Sequence, residues 1–187
     1  MIDALLLAST RVGTFSGTRA LTAASGFFFE NGARLFLVTS RHVLVNAATE
    51  HFPDRVEIVL HTDAVDLTRT AVLSMLLYQD GKSLWRQAKD SGGEIDVAAL
   101  EIDRAALPRD AVFRTLGMDH LPPSLEEIGI GTPLLIVGFP LGFYDTLHNL
   151  PVVRQAAVAS AFGVRFRARA SSLPMRARTG VRVARRW

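Results

Sequence analysis

Two apolar runs joined by a tight-turn signal occur in residues 24–43, which read ASGFFFENGARLFLVTSRHV. The signal is Asn31-Gly32, because asparagine and glycine tolerate the positive φ angles that a two-residue hairpin turn requires. The flanking runs, Ala24–Phe29 and Arg34–Ser40, have the length and the aromatic and β-branched content of strands. This stretch therefore predicts a β-hairpin whose second strand ends just before His42.

Short apolar runs separated by turn residues continue on both sides of this hairpin. Such a pattern is typical of an all-β sandwich or barrel. The predicted strands are Ala4–Ser9, Ala24–Phe29, Arg34–Ser40, Arg55–Thr62, Thr70–Tyr78, Asp96–Ile102, Pro133–Phe139, Val152–Ser160 and the less regular Val164–Ala170. The polar, glycine-containing segment Gln79–Glu94 is predicted to be a surface loop.

Prolines between two strand-rich parts of the chain predict a linker. Pro108, Pro122 and Pro123 fall within residues 103–132. We expect a first β-barrel in residues 1–115, an inter-barrel linker in 116–132, a partial second barrel in 133–170 and a basic tail in 171–187. Three predicted strands cannot close the second barrel, so we expect exposed strand edges that favour self-association.

Composition excludes several classes of protein. With 49% hydrophobic and 21% charged residues, the chain is neither a disordered protein nor a coiled coil as a whole. The absence of cysteine excludes disulfides, a thiolate nucleophile and cysteine-ligated metal. The histidines lack the spacing of a zinc site, so no metal or other cofactor is expected.

The first ten residues and the length of the apolar runs bear on localisation. Asp3 occupies the region where a signal peptide is basic. Every apolar run is well short of the roughly 20 residues that a membrane span needs. These features favour a soluble, unexported, cytoplasmic protein with no membrane partner.

Charge is distributed unevenly along the chain. The formal net charge is +3, yet residues 161–187 contain eight arginines and no acidic residue. Such an arm can bind nucleic acid or an anionic surface, or remain a solvated tail. The aromatic stripe Phe27–Phe29 fits a hydrophobic core better than a base-stacking platform, so no specific nucleic-acid site is expected.

His42 and Asp96 are the candidate catalytic residues. Histidine is the side chain best suited to move a proton near neutral pH. A carboxylate against its second ring nitrogen would fix the tautomer and stabilise the imidazolium. Taken singly, each residue also fits a structural role, at a strand end for His42 and in a turn for Asp96.

Four segments in the same order resemble the trypsin-like (chymotrypsin-fold) serine peptidases. Ser25–Phe29 with Leu37–Val43 is similar to the histidine segment of that family, and Asp96–Leu100 to its aspartate segment. Leu135–Gly142 and Val153–Ser160 resemble the first strands of its second barrel. The resemblance covers roughly residues 15–160. It implies an all-β, two-barrel fold with the second barrel incomplete, and a peptide or protein substrate.

The resemblance also implies a catalytic triad with His42 as general base and Asp96 as its orienting partner. The family's nucleophile lies in a Gly-x-Ser-Gly loop, and residues 1–187 contain no such sequence. The late serines Ser160, Ser171 and Ser172 lack the glycines that form that loop. This departure leaves the chain without a recognisable nucleophile and predicts an inactive serine endopeptidase.

The missing loop coincides with the change in composition. From about Phe162 onward acidic residues vanish and arginine and alanine dominate, as in GC-rich DNA translated out of frame. We hypothesise that the reading frame, or the gene, is broken near residue 165. The alternatives are a non-catalytic pseudo-peptidase or binding module, and a basic-tailed nucleic-acid binder.

Overall fold

The computed structural model describes residues 3–162, which consist mainly of β-strands. This confirms the all-β class. The strands are β1 (Ser9–Ser16), β2 (Arg19–Asn31), β3 (Arg34–Thr39), β4 (Arg55–His61), β5 (Thr70–Leu76), β6 (Tyr78–Gln79), β7 (Lys82–Ser83), β8 (Trp85–Asp90), β9 (Gly93–Ile102), β10 (Pro133–Gly138) and β11 (Val152–Ala157). Short helices lie between them: the α-helical turn α1 (Arg41–Leu44) and the 3-10 helices Ala4–Ala8, Ala47–Thr49, Arg104–Ala106, Met118–His120 and Pro140–Gly142.

Seven of these strands form one antiparallel sheet in the order β5-β4-β1-β2-β3-β9-β8. Leu73 on β5 and Leu100 on β9 belong to the same core cluster. In a flat sheet, strands five positions apart would be separated by about 24 Å, because neighbouring strands lie about 4.8 Å apart. The sheet is therefore rolled around its core. The Leu84 N–H donates to the Leu77 carbonyl at 2.9 Å. This hydrogen bond joins the end of β5 to the start of β8, which are the two edge strands of the sheet.

Alternation of buried and more exposed residues explains which face turns inward. In β4 the buried apolar residues are Val56, Ile58 and Leu60, at every second position, and His61 at the end of the strand is buried as well. The same alternation appears in β3 and the second half of β9. Since side chains alternate between the two faces of a strand, this pattern gives the sheet one buried face. The core consists of Val12, Phe28, Leu35, Leu37, Val43, Leu44, Val56, Ile58, Leu60, Leu73, Leu77, Ala98, Leu100 and Ile102.

Gly26 is required by close packing between β2 and its neighbours. A Cβ atom at this position would lie 2.8 Å from Leu37 Cδ1 and 2.8 Å from Val12 Cγ2. Phe28, two residues further along the same face, is buried and its ring lies 5.0 Å from that of Phe113. The Ser-Gly-Phe-Phe-Phe stretch thus places a residue without a side chain next to a large buried ring on the inner face of the sheet.

The two-stranded sheet β10–β11 contacts the seven-stranded sheet through β2. The Phe139 N–H donates to Ser25 Oγ at 2.8 Å, and Thr39 Oγ1 donates to the Ser25 carbonyl at 2.9 Å. A Cβ atom at Gly138 would lie 2.6 Å from Ser25 Oγ, so glycine allows this close approach. The segment between the sheets is also held: the Leu116 N–H donates to the Phe28 carbonyl at 2.9 Å.

Two sequence predictions about elements were wrong. The predicted strand Ala4–Ser9 is a 3-10 helix over Ala4–Ala8, because the Asp3 carboxylate accepts the Leu5 N–H at 2.9 Å and caps it, and the strand β1 begins only at Ser9. The segment Gln79–Glu94 is not a loop, because most of it forms β7, β8 and the start of β9. Its polarity reflects a hairpin that extends into solvent.

The other predicted strands within the described range are present. Their boundaries differ from the predicted ones by a few residues, the largest changes being the longer β2 and β9. The predicted strand Val164–Ala170 and the basic tail 171–187 lie outside the described residues. Among residues 3–162, no helix has the length and apolarity needed to cross a membrane.

We predict that Gly26→Ala destabilises the protein by about 1–3 kcal/mol, because the added methyl group overpacks a full core. Chemical denaturation, followed by circular dichroism, would measure the change. Gly129→Ala is the matched control, since a Cβ atom there meets nothing within 4 Å and needs no positive φ. A Gly26→Ala variant as stable as the Gly129→Ala variant would contradict the packing argument.

Candidate active site

The pairing of β3 with β9 brings His42 and Asp96 together. Thr39, the last residue of β3, pairs with Ala98. The chain then turns into α1, which lies over the part of β9 that precedes Ala98. His42 therefore meets Asp96 although the two residues are 54 positions apart in sequence.

The Asp96 carboxylate contacts His42 through both of its oxygens. Oδ2 lies 2.7 Å from the imidazole Nδ1, and Oδ1 lies 3.0 Å from it. Oδ1 also accepts the backbone N–H of His42 at 3.0 Å. A carboxylate only accepts hydrogen bonds, so this geometry assigns the ring proton to Nδ1 and leaves the Nε2 lone pair free to take a proton.

An irregularity in β9 presents Asp96 to His42. Gln87 of β8 pairs with Ala98 and Lys89 pairs with Glu94. One residue of β8, Ala88, thus lies opposite the three β9 residues 95–97. Bulges of this kind bend a strand and redirect its side chains, and they occur often beside active sites. Asp96 occupies the middle of this bulge.

The site is accessible from solvent. The side chains of His42 and Asp96 are 41% and 38% exposed. Within residues 3–162, the ring of His42 forms its hydrogen bonds to Asp96, through Nδ1. The opposite ring nitrogen, Nε2, is thus the one available to a reactant.

The remaining described histidines differ from His42 in what their rings bind. His51 Nε2 lies 2.9 Å from the Val43 carbonyl, and His61 Nε2 lies 2.7 Å from the His148 carbonyl. Because a carbonyl accepts, these contacts place the proton on Nε2 in both residues.

His120 and His148 contact aspartates close to them in sequence. His148 Nδ1 lies 2.7 Å from Asp145, three residues away, and this hydrogen bond is the main cause that lowers the pKa of Asp145. His120 contacts the adjacent Asp119. In the described part of the chain, His42–Asp96 is therefore the His–Asp pair that joins distant elements.

A serine nucleophile is not found beside this pair. Among residues 3–162, no serine hydroxyl hydrogen bonds to His42. Ser25 Oγ is engaged by the Phe139 N–H, which gives it a structural role. Ser171 and Ser172 lie outside the described residues. The same described range contains no cluster of three or more side chains that could hold a metal ion.

Three further side chains next to the pair were missed by the sequence analysis. Arg41 contacts both Gln87 and Glu94, which also hydrogen bond to each other. Two of them are close to the pair in sequence, since Arg41 precedes His42 and Glu94 lies two residues before Asp96, whereas Gln87 is nine residues away. The contact of these side chains could not be predicted once Gln79–Glu94 was interpreted as a loop, because only a strand paired with β9 places Gln87 beside Glu94.

No protein-family model matches this chain, and no curated protein matches it.

We predict that Asp96→Asn reverses the tautomer of His42. The amide NH₂ of asparagine can donate to Nδ1, which moves the ring proton to Nε2 and removes the lone pair that a general base needs. The ¹⁵N chemical shifts of the ring nitrogens, at a pH where the imidazole is neutral, would report the change. His51 is the internal reference, since its Nε2–H is bound to a backbone carbonyl and should not respond. An unchanged His42 tautomer in the variant would contradict the assignment.

Proposed function

We propose that this chain is an inactive form of a trypsin-like serine endopeptidase of the two-barrel chymotrypsin fold, in which His42 is the general base and Asp96 its orienting residue. The observation that carries the proposal is the contact of one carboxylate with both the Nδ1 and the backbone N–H of His42. This contact fixes the ring in a single tautomer and orientation. It supports a role in proton transfer more strongly than an ordinary surface ion pair would.

The architecture around the pair is consistent with this proposal. A rolled antiparallel sheet carries His42 and Asp96 at one end, as the first barrel of the family does. In this proposal, the β10–β11 pair would be the start of a second barrel. Its exposed apolar residues Leu135 and Val153 are consistent with a barrel that is incomplete within the described range.

The proposed chemistry is acyl transfer to a serine hydroxyl and then to water. Nε2 of His42 would take the proton of the hydroxyl as its oxygen attacks the peptide carbonyl, and would then deliver that proton to the leaving amine. Asp96 would stabilise the imidazolium formed between these steps. Proton transfer by a positioned base contributes about 10²–10⁴-fold to the rate in such reactions.

The chain supplies the base and its orienting residue but not the family's nucleophile loop. Residues 1–187 contain no Gly-x-Ser-Gly sequence. We therefore propose that the 187 residues, as they stand, hydrolyse no peptide bonds. The active parent would have the loop encoded in another reading frame beyond about residue 162.

A non-catalytic binding module is the second candidate. Leu141 and Phe143 follow directly on the segment that contacts Ser25, and both are strongly exposed. A surface of this kind can hold a peptide or protein without cleaving it. A nucleic-acid role would depend on the arginines of the tail, which lie outside the described residues.

The coding DNA distinguishes the peptidase from the binding module. Codons 150–187 and a few hundred bases beyond should be read in all three frames. A Gly-x-Ser-Gly-[Gly/Ser]-Pro loop in another frame would support the peptidase parent and identify the tail as a lesion. No such loop in any frame would favour the binding module.

We predict that a fluorophosphonate probe does not label the 187-residue chain, because its sequence has no Gly-x-Ser-Gly loop and no serine among residues 3–162 hydrogen bonds to His42. In-gel fluorescence against an active trypsin-like enzyme would measure labelling. A chain extended with the restored frame should be labelled, and His42→Ala in that chain should abolish labelling. Labelling of the 187-residue chain that His42→Ala removes would overturn the proposed inactivity.

A further inference from the structure

Arg41, Gln87 and Glu94 form a closed triangle of contacts beside the His42–Asp96 pair. Arg41 Nε donates to Gln87 Oε1, and an Arg41 Nη atom lies 3.1 Å from Glu94 Oε2. Gln87 Nε2 donates to Glu94 Oε1 at 3.1 Å. The three side chains come from α1, β8 and β9, so the triangle joins all three elements around the pair.

The triangle connects the two ends of the bulge that carries Asp96. Gln87 lies at one end of the bulge, where it pairs with Ala98, and Glu94 lies at the other end, where it pairs with Lys89. The contact between Gln87 and Glu94 therefore spans the bulge that carries Asp96. Arg41 binds both ends and is itself the residue before His42.

Resting on the proposed function, we propose that Arg41, Gln87 and Glu94 are positioning residues that hold Asp96 against His42. Arg41 fixes the start of α1. It thereby also fixes the backbone N–H of His42, which donates a hydrogen bond to Asp96. Gln87 and Glu94 fix the width of the bulge. The triangle thus acts on both members of the pair without touching a reactant.

We expect this cluster to affect the position of Asp96 relative to His42 and to contribute little to the free energy of unfolding. Arg41 and Glu94 are 30% and 46% exposed, and ion pairs with such exposure add little to the free energy of unfolding. Lys89 lies 4.0 Å from Glu94 but belongs to β8, so it cannot replace the connection to α1. Without Arg41, α1 loses its link to the bulge while the core is unchanged.

Arg34 on β3 and Glu101 on β9 provide a matched control. They form a two-point contact between β3 and β9, with Arg34 Nε at 2.8 Å from Glu101 Oε1. Glu101 is five residues from Asp96, about 16 Å along a strand. Arg34→Ala therefore removes the same charge from a similar exposed pair at a site remote from His42.

The test uses the full chain with ¹⁵N-labelled histidine and follows the Nδ1–H proton of His42. In the unmodified protein, the hydrogen bond to Asp96 should slow the exchange of this proton and shift its resonance downfield. In Arg41→Ala we expect the resonance to be lost, or its exchange with water to become about tenfold faster, because local opening of the site becomes easier. Arg34→Ala should leave the resonance unchanged, and both variants should have similar thermal unfolding midpoints.

A charge swap distinguishes loss of the ion pair between α1 and β9 from loss of the Arg41 charge alone. Combining Arg41→Glu with Glu94→Arg restores the ion pair, and the Gln87 amide can serve it because it both donates and accepts. We expect the double variant to recover the resonance that Arg41→Glu alone loses. Should Arg41→Ala fail to fold, Glu94→Gln, which preserves the shape of the side chain, replaces it.

The outcomes separate this inference from the proposed function. A normal Nδ1–H resonance in both Arg41→Ala and Glu94→Gln would overturn the inference and leave the His42–Asp96 pair intact. Absence of the resonance from the unmodified protein would overturn the pair itself, and the proposed function with it. Equal loss in Arg34→Ala would show that the effect belongs to β9 in general and would also overturn the inference.

Discussion

The antiparallel pairing of β3 with β9 is the constraint on which the candidate site depends. It joins residues that are about 60 positions apart and places the end of β3 beside the start of the bulge in β9. Five residue pairs, from Leu35 with Ile102 to Thr39 with Ala98, fix the register. A slip of one residue would turn Leu35 and Leu37 away from the core, so burial of these side chains enforces the register that brings His42 to Asp96.

The geometry of the pair is thus determined largely by hydrophobic packing at a distance from it. The core residues of β3 and β9 are buried, while the pair and its neighbours lie at the solvent-exposed end of the sheet. Packing positions the strands, and the hydrogen bonds that His42 donates to Asp96 complete the alignment. This division allows polar groups to remain accessible without weakening the core.

The sequence predicted the all-β class and the approximate positions of most strands, because burial alternates along them and turn residues separate them. It also predicted His42 and Asp96 as candidate residues. It missed the helix at Ala4–Ala8, where one hydrogen bond from the Leu5 N–H to the Asp3 carboxylate decides between two conformations of the same apolar run. It missed the β8–β9 hairpin because that hairpin is mostly exposed and therefore lacks apolar alternation. The bulge at residues 95–97 depends on the register of two strands, which no single segment encodes.

The β3–β9 pairing also sets a requirement on the order of folding. Closing a loop of about 60 residues costs about 4 kcal/mol of chain entropy, apart from a constant term, before any contact repays it. Until β9 docks, β3 is the last strand of the growing sheet, and its N–H and C=O groups face solvent beside an apolar inner face. An unpaired edge of this kind is a template for strands from other molecules. In the period between synthesis of His42 and arrival of Asp96 the edge of β3 is therefore open to other molecules, and the same strand that completes the site covers that edge.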